Sequence, residues 1–312
     1  MVAKSQSDHR CVSTHRRHPH PLMSTIAAQH SFHHELTHTS VEQHTLARYD
    51  WPRPEGTAKA VVLLVHGLGE HMARYQHVAF ALQQAGYIAM GYDHVGHGLS
   101  TGKRGDIDHS DQLTAHLRHM VMLAKAEHPE LPLVLLGHSM GGLVVQRLAC
   151  ADATLVDAVV MSSPALAAFT NAIEKLLLAT LPKWLPHVRV DNGLKTDALA
   201  RDAQVVRDYK HDPLVHRHIS ALLASWIVQE GTHAVQQASD WQVPSLLLYA
   251  GQDKLVNPQG SAAFAKLAPA TVLQSHCFNV MYHEIFNDPE KQVVLQKLIQ
   301  WLDARYAGTQ SN

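Results

Sequence analysis

Ser139 lies at the centre of the pentapeptide Gly137–Gly141 (GHSMG), which fits the G-x-S-x-G pattern. The apolar run Leu133–Leu136 precedes it, and a predicted helix follows from Gly142. A serine in this context sits on a sharp strand-to-helix turn, where the flanking glycines avoid the clash that a β-carbon would cause. The helix N-terminus favours the negative charge that develops when a hydroxyl attacks a carbonyl. The pattern predicts a nucleophilic serine; the adjoining strand and helix disfavour the alternative, a glycine-rich turn with a surface serine.

A serine hydroxyl needs a base to accept its proton and a carboxylate to orient that base. Asp253 follows a predicted strand near 243–249, and His283 follows the next predicted strand, near 271–278. Open parallel sheets carry their functional groups at the carboxyl ends of strands, and the order serine, acid, histidine is the expected one. We therefore expect Ser139, Asp253 and His283 to form a catalytic triad. Three competing carboxylates lack a preceding strand: Asp202, Asp212 and Asp240.

Attack on an ester produces an oxyanion, which requires hydrogen-bond donors that are already in place. One expected donor is the backbone N–H of Met140, the residue after the nucleophile. The second is expected after the strand that ends at Val65, where His66–Gly69 (HGLG) allows the backbone to approach closely. We assign this donor to Leu68, and the alternative for the same loop is a tight strand-to-helix turn.

The elements that must position these residues follow from the hydrophobic pattern. The segment 32–49 predicts an antiparallel hairpin at a sheet edge, and the nearly continuous apolar run 58–65 predicts a strand buried on both faces. Strands and helices then alternate to about residue 165, which is typical of an α/β fold with helices on both faces of a parallel sheet. The predicted helices are near 73–85, 111–127 and 141–151, and the predicted strands near 87–92, 132–137 and 156–162.

Regular alternation stops in the segment 166–242, which predicts several helices without strands, including an apolar stripe in Asn171–Leu181. We call this segment the cap, because we expect it to lie over the sheet. The expected core comprises 33–165 and 243–306, with a final helix that begins at Asn287 and runs to about Tyr306. Residues 1–32 and 307–312 are expected to be tails.

The composition restricts the partners. Lys plus Arg number 26 and Asp plus Glu 27, so a net charge of -1 gives no general attraction to nucleic acid. We expect a neutral or lipid-like small substrate and no nucleic-acid partner. The glycine-rich piece Gly91–Ser100 lacks the order of a phosphate-binding loop and is predicted to be a structural turn.

The tail 1–32 is rich in histidine and poor in apolar periodicity, which predicts disorder, and Met23 is an alternative start. Irregular histidine spacing disfavours a metal site, so no metal is expected. The three cysteines, Cys11, Cys150 and Cys277, are too few for a disulfide framework. No apolar run approaches the roughly 20 residues that cross a bilayer, and no signal peptide is supported. A cytoplasmic location is expected.

Six motifs occur in order along about residues 40–305. They are His66–His71 (HGLGEH) with Arg74-Tyr75, Asp93–Ser100 (DHVGHGLS) with Gly102 and Arg104-Gly105, Gly137–Gly142, Asp212–Val215 (DPLV), Gly251–Asp253 and His283–Asn287 (HEIFN). Together they resemble the monoacylglycerol lipase and lysophospholipase family of the α/β hydrolases, which are hydrolases of the serine aminopeptidase S33 type. Two features depart from the family pattern: the histidine-rich extension and the approach to the histidine, Asn279–Tyr282 (NVMY).

The resemblance implies an eight-stranded, mostly parallel sheet, a helical cap over the active site, and hydrolysis of a monoacyl lipid ester without a cofactor. It also implies that Glu70, Arg74 and Tyr209 lie near the glycerol head group, with an apolar channel for the acyl chain beneath the cap. The apolar stripe of the cap has two interpretations, peripheral contact with a lipid surface or packing against the core. Oligomeric state stays open.

Four alternatives to ester hydrolysis are considered. Acyl transfer to an alcohol or thiol uses the same triad, and a non-catalytic ligand-binding module would keep the fold alone. Dehalogenase or epoxide hydrolase chemistry is disfavoured because it needs a carboxylate where Ser139 stands. Metal-dependent hydrolysis is not expected.

Overall fold

The computed structural model describes residues 32–170, 178 and 180–306. The chain divides into two units, residues 1–32 and residues 33–312, and the described helices and strands all belong to the second. The predicted disordered tail with its alternative start at Met23, most of the predicted helix 171–181, and the tail 307–312 lie outside the described residues.

The described strands are β1 (Glu35–Val41), β2 (His44–Asp50), β3 (Val61–Val65), β4 (Ile88–Tyr92), β5 (Leu133–His138), β6 (Ala158–Ser162), β7 (Arg189–Asp191), β8 (His218–Ser220), β9 (Ser245–Ala250) and β10 (Leu273–Phe278). Eight of them form the central sheet of the second unit, in the order β1-β2-β4-β3-β5-β6-β9-β10, and β7 and β8 form a separate pair. The hairpin β1-β2 and the pair β2-β4 are antiparallel, and the remaining pairs of this sheet are parallel. The predicted fold and the edge hairpin are confirmed.

Helices cover both faces of the sheet. They are α1 (Gln76–Gln84), α2 (Gln112–Glu127), α3 (Met140–Ala151), α4 (Ala203–His211), α5 (Ala221–Gln236), α6 (Pro258–Leu267) and α7 (Lys291–Tyr306). In β3 all five residues are buried: Val61, Leu63 and Val65 join a core cluster with α2 and α3, and Val62 and Leu64 face the other side. Burial on both faces explains why this strand is a continuous apolar run.

Two predictions about elements were wrong. The cap contains strands, since β7 and β8 form a small antiparallel sheet, and their three residues each are too short to show a periodic pattern. The last helix begins at Lys291 rather than Asn287, because the Asp288 carboxylate pairs with Arg201 of the cap (2.6 Å) and Asp288 stays extended (φ −68°, ψ 153°).

None of the described helices is long and apolar enough to cross a bilayer. Neither Cys150 nor Cys277 is part of a disulfide. In the turn Gly91–Ser100 the Asp93 carboxylate accepts hydrogen bonds from the backbone N–H groups of Met72 and Leu99 (2.7 and 2.8 Å), which supports the structural interpretation of this segment.

Candidate active site

Ser139 occupies the turn between β5 and α3 with φ 55° and ψ −119°, a conformation that residues other than glycine rarely adopt. Its N–H donates to the carbonyl of Ser162 at the end of β6 (2.9 Å). A β-carbon on Gly141 would lie 2.2 Å from the carbonyl oxygen of Val65, and one on Gly137 would lie 2.3 Å from that of Gly141. Both glycines are therefore required for the serine to reach this position.

His283 and Asp253 are in direct contact at the carboxyl ends of β10 and β9. The Nδ1 of His283 donates to Oδ2 of Asp253 at 2.6 Å, which leaves Nε2 as the basic nitrogen. The other carboxylate oxygen, Oδ1, accepts from the N–H groups of Leu255 and Val256 (2.8 and 2.9 Å). Both side chains are buried, so the acid is fixed by three hydrogen bonds before any substrate arrives.

The pKa values of this pair move apart for opposite reasons. Burial alone would lower the pKa of the His283 imidazole, but the charge and hydrogen bond of Asp253, with added attraction from Glu284 and Glu70, raise it above its usual range. Burial alone would raise the pKa of the Asp253 carboxyl, but His283 and the two backbone N–H groups lower it. The pair is therefore poised for an imidazolium beside a carboxylate.

Ser139, His283 and Asp253 line one cavity of about 830 Å³. In the described part of the chain the imidazole of His283 is hydrogen-bonded to Asp253 and not to the Ser139 hydroxyl. Such contacts often tighten only when a substrate is bound. The fold thus places the His283 imidazole and the Ser139 side chain at one cavity.

The two residues expected to donate to an oxyanion, Leu68 and Met140, both line this cavity. Met140 is the first residue of α3, so its N–H has no partner within the helix. The loop after β3 passes directly over the turn, since a β-carbon on Gly67 would lie 3.1 Å from that of Ser139. The His66 Nδ1 donates to the carbonyl of Gly67 (2.7 Å) and steadies this loop.

A buried ion-pair network lies beside the cavity. Arg74 donates to both oxygens of Glu284 (2.8 and 2.7 Å) and also to Glu70. The other oxygen of Glu70 accepts from the N–H of Gly67 and the hydroxyl of Tyr75, each at 2.7 Å. The network joins the loop after β3 to the residue that follows the histidine. Glu284 was missed from the sequence, although a carboxylate directly after His283 was a usable signal.

The three residues expected near a head group are adjacent. The guanidinium carbon of Arg74 lies 4.8 Å from the ring centroid of Tyr209, which α4 of the cap contributes. Glu70 and Tyr209 line the cavity, whereas Arg74 lies behind them. Any influence of Arg74 on a ligand therefore passes through Glu70.

The rest of the cavity is largely apolar. The loop after β6 contributes Ala165 and Ala167, and the cap contributes Leu199, Ile219 and Ile227. Such a surface suits a hydrocarbon chain.

Two of the competing carboxylates have other partners. Asp202 caps α4 through the N–H of Gln204 (2.8 Å), and Asp212 accepts from His71 (2.7 Å). Among the described residues no group of three or more His, Cys, Asp or Glu is arranged to hold a metal ion.

The sequence of this chain is similar to those of known proteins. Residues 56–290 match the family model described as serine aminopeptidase, S33. A monoacylglycerol lipase of Mycolicibacterium smegmatis is 34% identical over 258 residues, which cover 81% of this chain and 91% of that protein. This chain belongs to the monoacylglycerol lipase family of α/β hydrolases.

Solved structures of the family agree with the fold. The crystal structure of Paleococcus ferrophilus monoacylglycerol lipase has a TM-score of 0.76 and 32% identity, covering 83% of this chain and 98% of that one. A soluble variant of Saccharomyces cerevisiae monoglyceride lipase, in complex with a substrate analog, has a TM-score of 0.80 and 22% identity, covering 87% and 95%.

The segment Asn279–Tyr282, which leads to His283, contacts the loop that contains Asp253. The carbonyl of Met281 accepts a hydrogen bond from the N–H of Gln252 (3.1 Å), and Met281 is buried. This contact joins the segment to the residue before Asp253.

Proposed function

We propose that this enzyme hydrolyses the ester bond of monoacyl lipids, with Ser139 as nucleophile, His283 as base and Asp253 as the residue that orients the base. The observation that carries the proposal is the 2.6 Å hydrogen bond between His283 and Asp253 in the same cavity as a serine held at φ 55°. A receptor that only binds lipid has no physical need for this combination.

The reaction follows from these positions. Nε2 of His283 accepts the hydroxyl proton as Ser139 Oγ bonds to the ester carbon, and the N–H groups of Leu68 and Met140 stabilise the oxyanion. When the intermediate collapses, the ester C–O bond breaks, and the imidazolium gives its proton to the leaving alcohol. Water, activated by the same imidazole, then releases the fatty acid from Ser139.

The cavity supports a lipid substrate. Its apolar side, which includes Ile219 and Ile227, suits the acyl chain, while Glu70 and Tyr209 lie where hydroxyl groups of a glycerol head group can bond. We assign Arg74 an indirect role, since it holds Glu70 in place. The relatives named monoacylglycerol lipase support the same substrate class.

Labelling and turnover together test the triad. A fluorophosphonate probe should label the protein at Ser139, and the Ser139→Ala variant should lose labelling and at least about a thousandfold in kcat on monoacylglycerols. Assaying a chain-length series of monoacylglycerols beside lysophosphatidylcholine defines the substrate. Full esterase activity in Ser139→Ala would refute the assignment, and products formed with an added acceptor alcohol would reveal acyl transfer.

We further propose a cytoplasmic enzyme that contacts membranes peripherally through the cap. Trp184 is 83% exposed and Val190 56% exposed, and Phe169, also 56% exposed, lines the cavity. Exposed apolar side chains beside a lipid cavity suit a bilayer surface. Cosedimentation with phosphatidylcholine vesicles should detect the contact, and a protein that stays in the supernatant at high lipid would exclude it.

A further inference from the structure

A second, smaller cavity adjoins the one that holds Ser139. Its volume is about 570 Å³, and four residues line both cavities: Gly193, Leu194, Lys195 and Lys254. Arg217 and Tyr282 complete much of its wall. Lys195 and Lys254 therefore border the space beside Ser139 as well as the smaller one.

Two lysines in the smaller cavity have no carboxylate partner within the described part of the chain. Lys254 Nζ lies 4.7 Å from the ring centroid of Tyr282 and 3.4 Å from its hydroxyl. Lys195 is exposed at the rim. The carboxylate beside them, Asp197, is already bound to Lys210 at 2.7 Å.

The remaining cation that lines the smaller cavity is paired. The guanidinium of Arg217 binds Asp191 through Nε at 2.9 Å. Inside the main cavity the carboxylate of Asp253 is bound to His283. The smaller cavity therefore carries positive charge in a chain whose net charge is -1, and a concave surface concentrates the resulting field.

We propose that Lys195 and Lys254 form a subsite for an anionic group on the alcohol side of the ester, such as the phosphate of a lysophospholipid head group. This inference rests on the proposed function, because it places the ester at Ser139. Lysine binds phosphate as a mobile point charge, so the subsite attracts an anion without rejecting an uncharged glycerol. Anionic monoacyl lipids are thus substrates alongside neutral ones, with the higher kcat/KM.

The test compares 1-octanoylglycerol with 1-octanoylglycerol 3-phosphate, both below their critical micelle concentrations. In the double variant Lys195→Gln/Lys254→Gln the ratio of kcat/KM, phosphate over neutral, should fall about tenfold, as expected for the loss of two partly screened charge contacts. A disturbance of the neighbouring Asp253 would lower kcat/KM for both substrates by the same factor, so it does not change their ratio. The matched control, Lys297→Gln, removes an exposed lysine on α7 and should keep the ratio of the wild type. An unchanged ratio in the double variant would overturn the subsite.

Equilibrium binding separates the subsite from the proposed function. Isothermal titration calorimetry measures the binding of 1-octanoylglycerol 3-phosphate to the Ser139→Ala variant, with and without the two lysine substitutions, and needs no turnover. A lower affinity in the protein with the substitutions supports the subsite. Turnover that survives Ser139→Ala refutes the nucleophile while the binding result still decides the subsite. If the substitutions weaken only cosedimentation with phosphatidylglycerol vesicles, the lysines serve a membrane surface and the subsite is rejected.

Discussion

Protonation of His283 depends on two opposing effects at the scale of the single residue. Burial is the largest effect and opposes the imidazolium, but the charge and hydrogen bond of Asp253, with the charges of Glu284 and Glu70, together outweigh it, so the pKa of His283 is raised. The proposed base works only when neutral. The acid limb of the rate profile should therefore lie above the ordinary histidine value of about 6.5.

The Asp253→Asn variant separates these two effects. We expect kcat/KM to fall by roughly 10⁴, as for an orienting carboxylate in other triads. We also expect the remaining activity to persist to lower pH, because the pKa of His283 falls when the attraction of the Asp253 carboxylate is lost. A pH profile of kcat/KM for both proteins measures this. An acid limb that stays in place or moves to higher pH would contradict the role of Asp253.

At the scale of elements, the loops after β3 and β10 are joined by a buried ion pair. Arg74 and Glu284 are 12% and 4% exposed in their side chains. Glu284 depends on Arg74 for compensation of its charge, and Arg74 also compensates Glu70. The pair holds the loop that contains Leu68 against the residue next to His283. We therefore expect the loss of this ion pair to change both the active-site geometry and the stability of the fold.

Glu284→Gln should therefore reduce both stability and rate. Because Arg74 keeps its ion pair with Glu70, the loss of its contact with Glu284 should lower the free energy of unfolding by about 2 kcal/mol. The loosened loops should lower kcat more than they raise KM. Urea denaturation measures the first and steady-state kinetics the second. The control Arg118→Gln breaks an exposed pair with Asp152 (3.6 Å) and should cost less than about 1 kcal/mol. Equal effects of the two substitutions would argue against the network.

At the scale of the whole molecule, the interior contains several neutral histidines. Burial is the main cause that lowers the pKa of His66, His97, His138 and His216 to about 3, and of His77 to about 4. Three of these imidazole rings lie in a row that runs from the core to the cap. The ring centroids of His66 and His97 lie 5.4 Å apart, and those of His97 and His216 lie 4.6 Å apart. Protonation of any one would place a charge in this interior.

These depressed pKa values predict destabilisation in acid. Between about pH 6.5 and pH 4 these histidines bind protons in the unfolded chain but stay neutral in the folded chain. The free energy of unfolding therefore has its full value above pH 6.5 and decreases as the pH falls. Each such histidine contributes up to about 1.4 kcal/mol per pH unit; His283, with its raised pKa, acts in the opposite direction. Urea midpoints between pH 7.5 and 4.5 measure the slope, and His77→Gln should make it shallower. A urea midpoint that does not change with pH would show that these side chains bind protons in the folded protein without lowering its stability, which would contradict the prediction.

Part of this architecture was predictable from the sequence. Continuous apolar strands such as Val61–Val65 and the order of Ser139, Asp253 and His283 predict a parallel sheet with a triad at its edge, because strand burial and chain order are local properties. The short strands β7 and β8 and the late start of α7 were not predictable, since three-residue strands have no period and the contact of Asp288 with Arg201 is distant in sequence.

The sequence by itself determined which residue types lie at the ends of which strands, and with them the nature of the chemistry. Only the tertiary structure decided that Arg74 is shared by Glu70 and Glu284, that it lies behind the cavity, and that Lys195 and Lys254 border a space joined to it. The physical reason is that the energy of a charge depends on the partners and solvent around it, and those come from segments far apart in the chain.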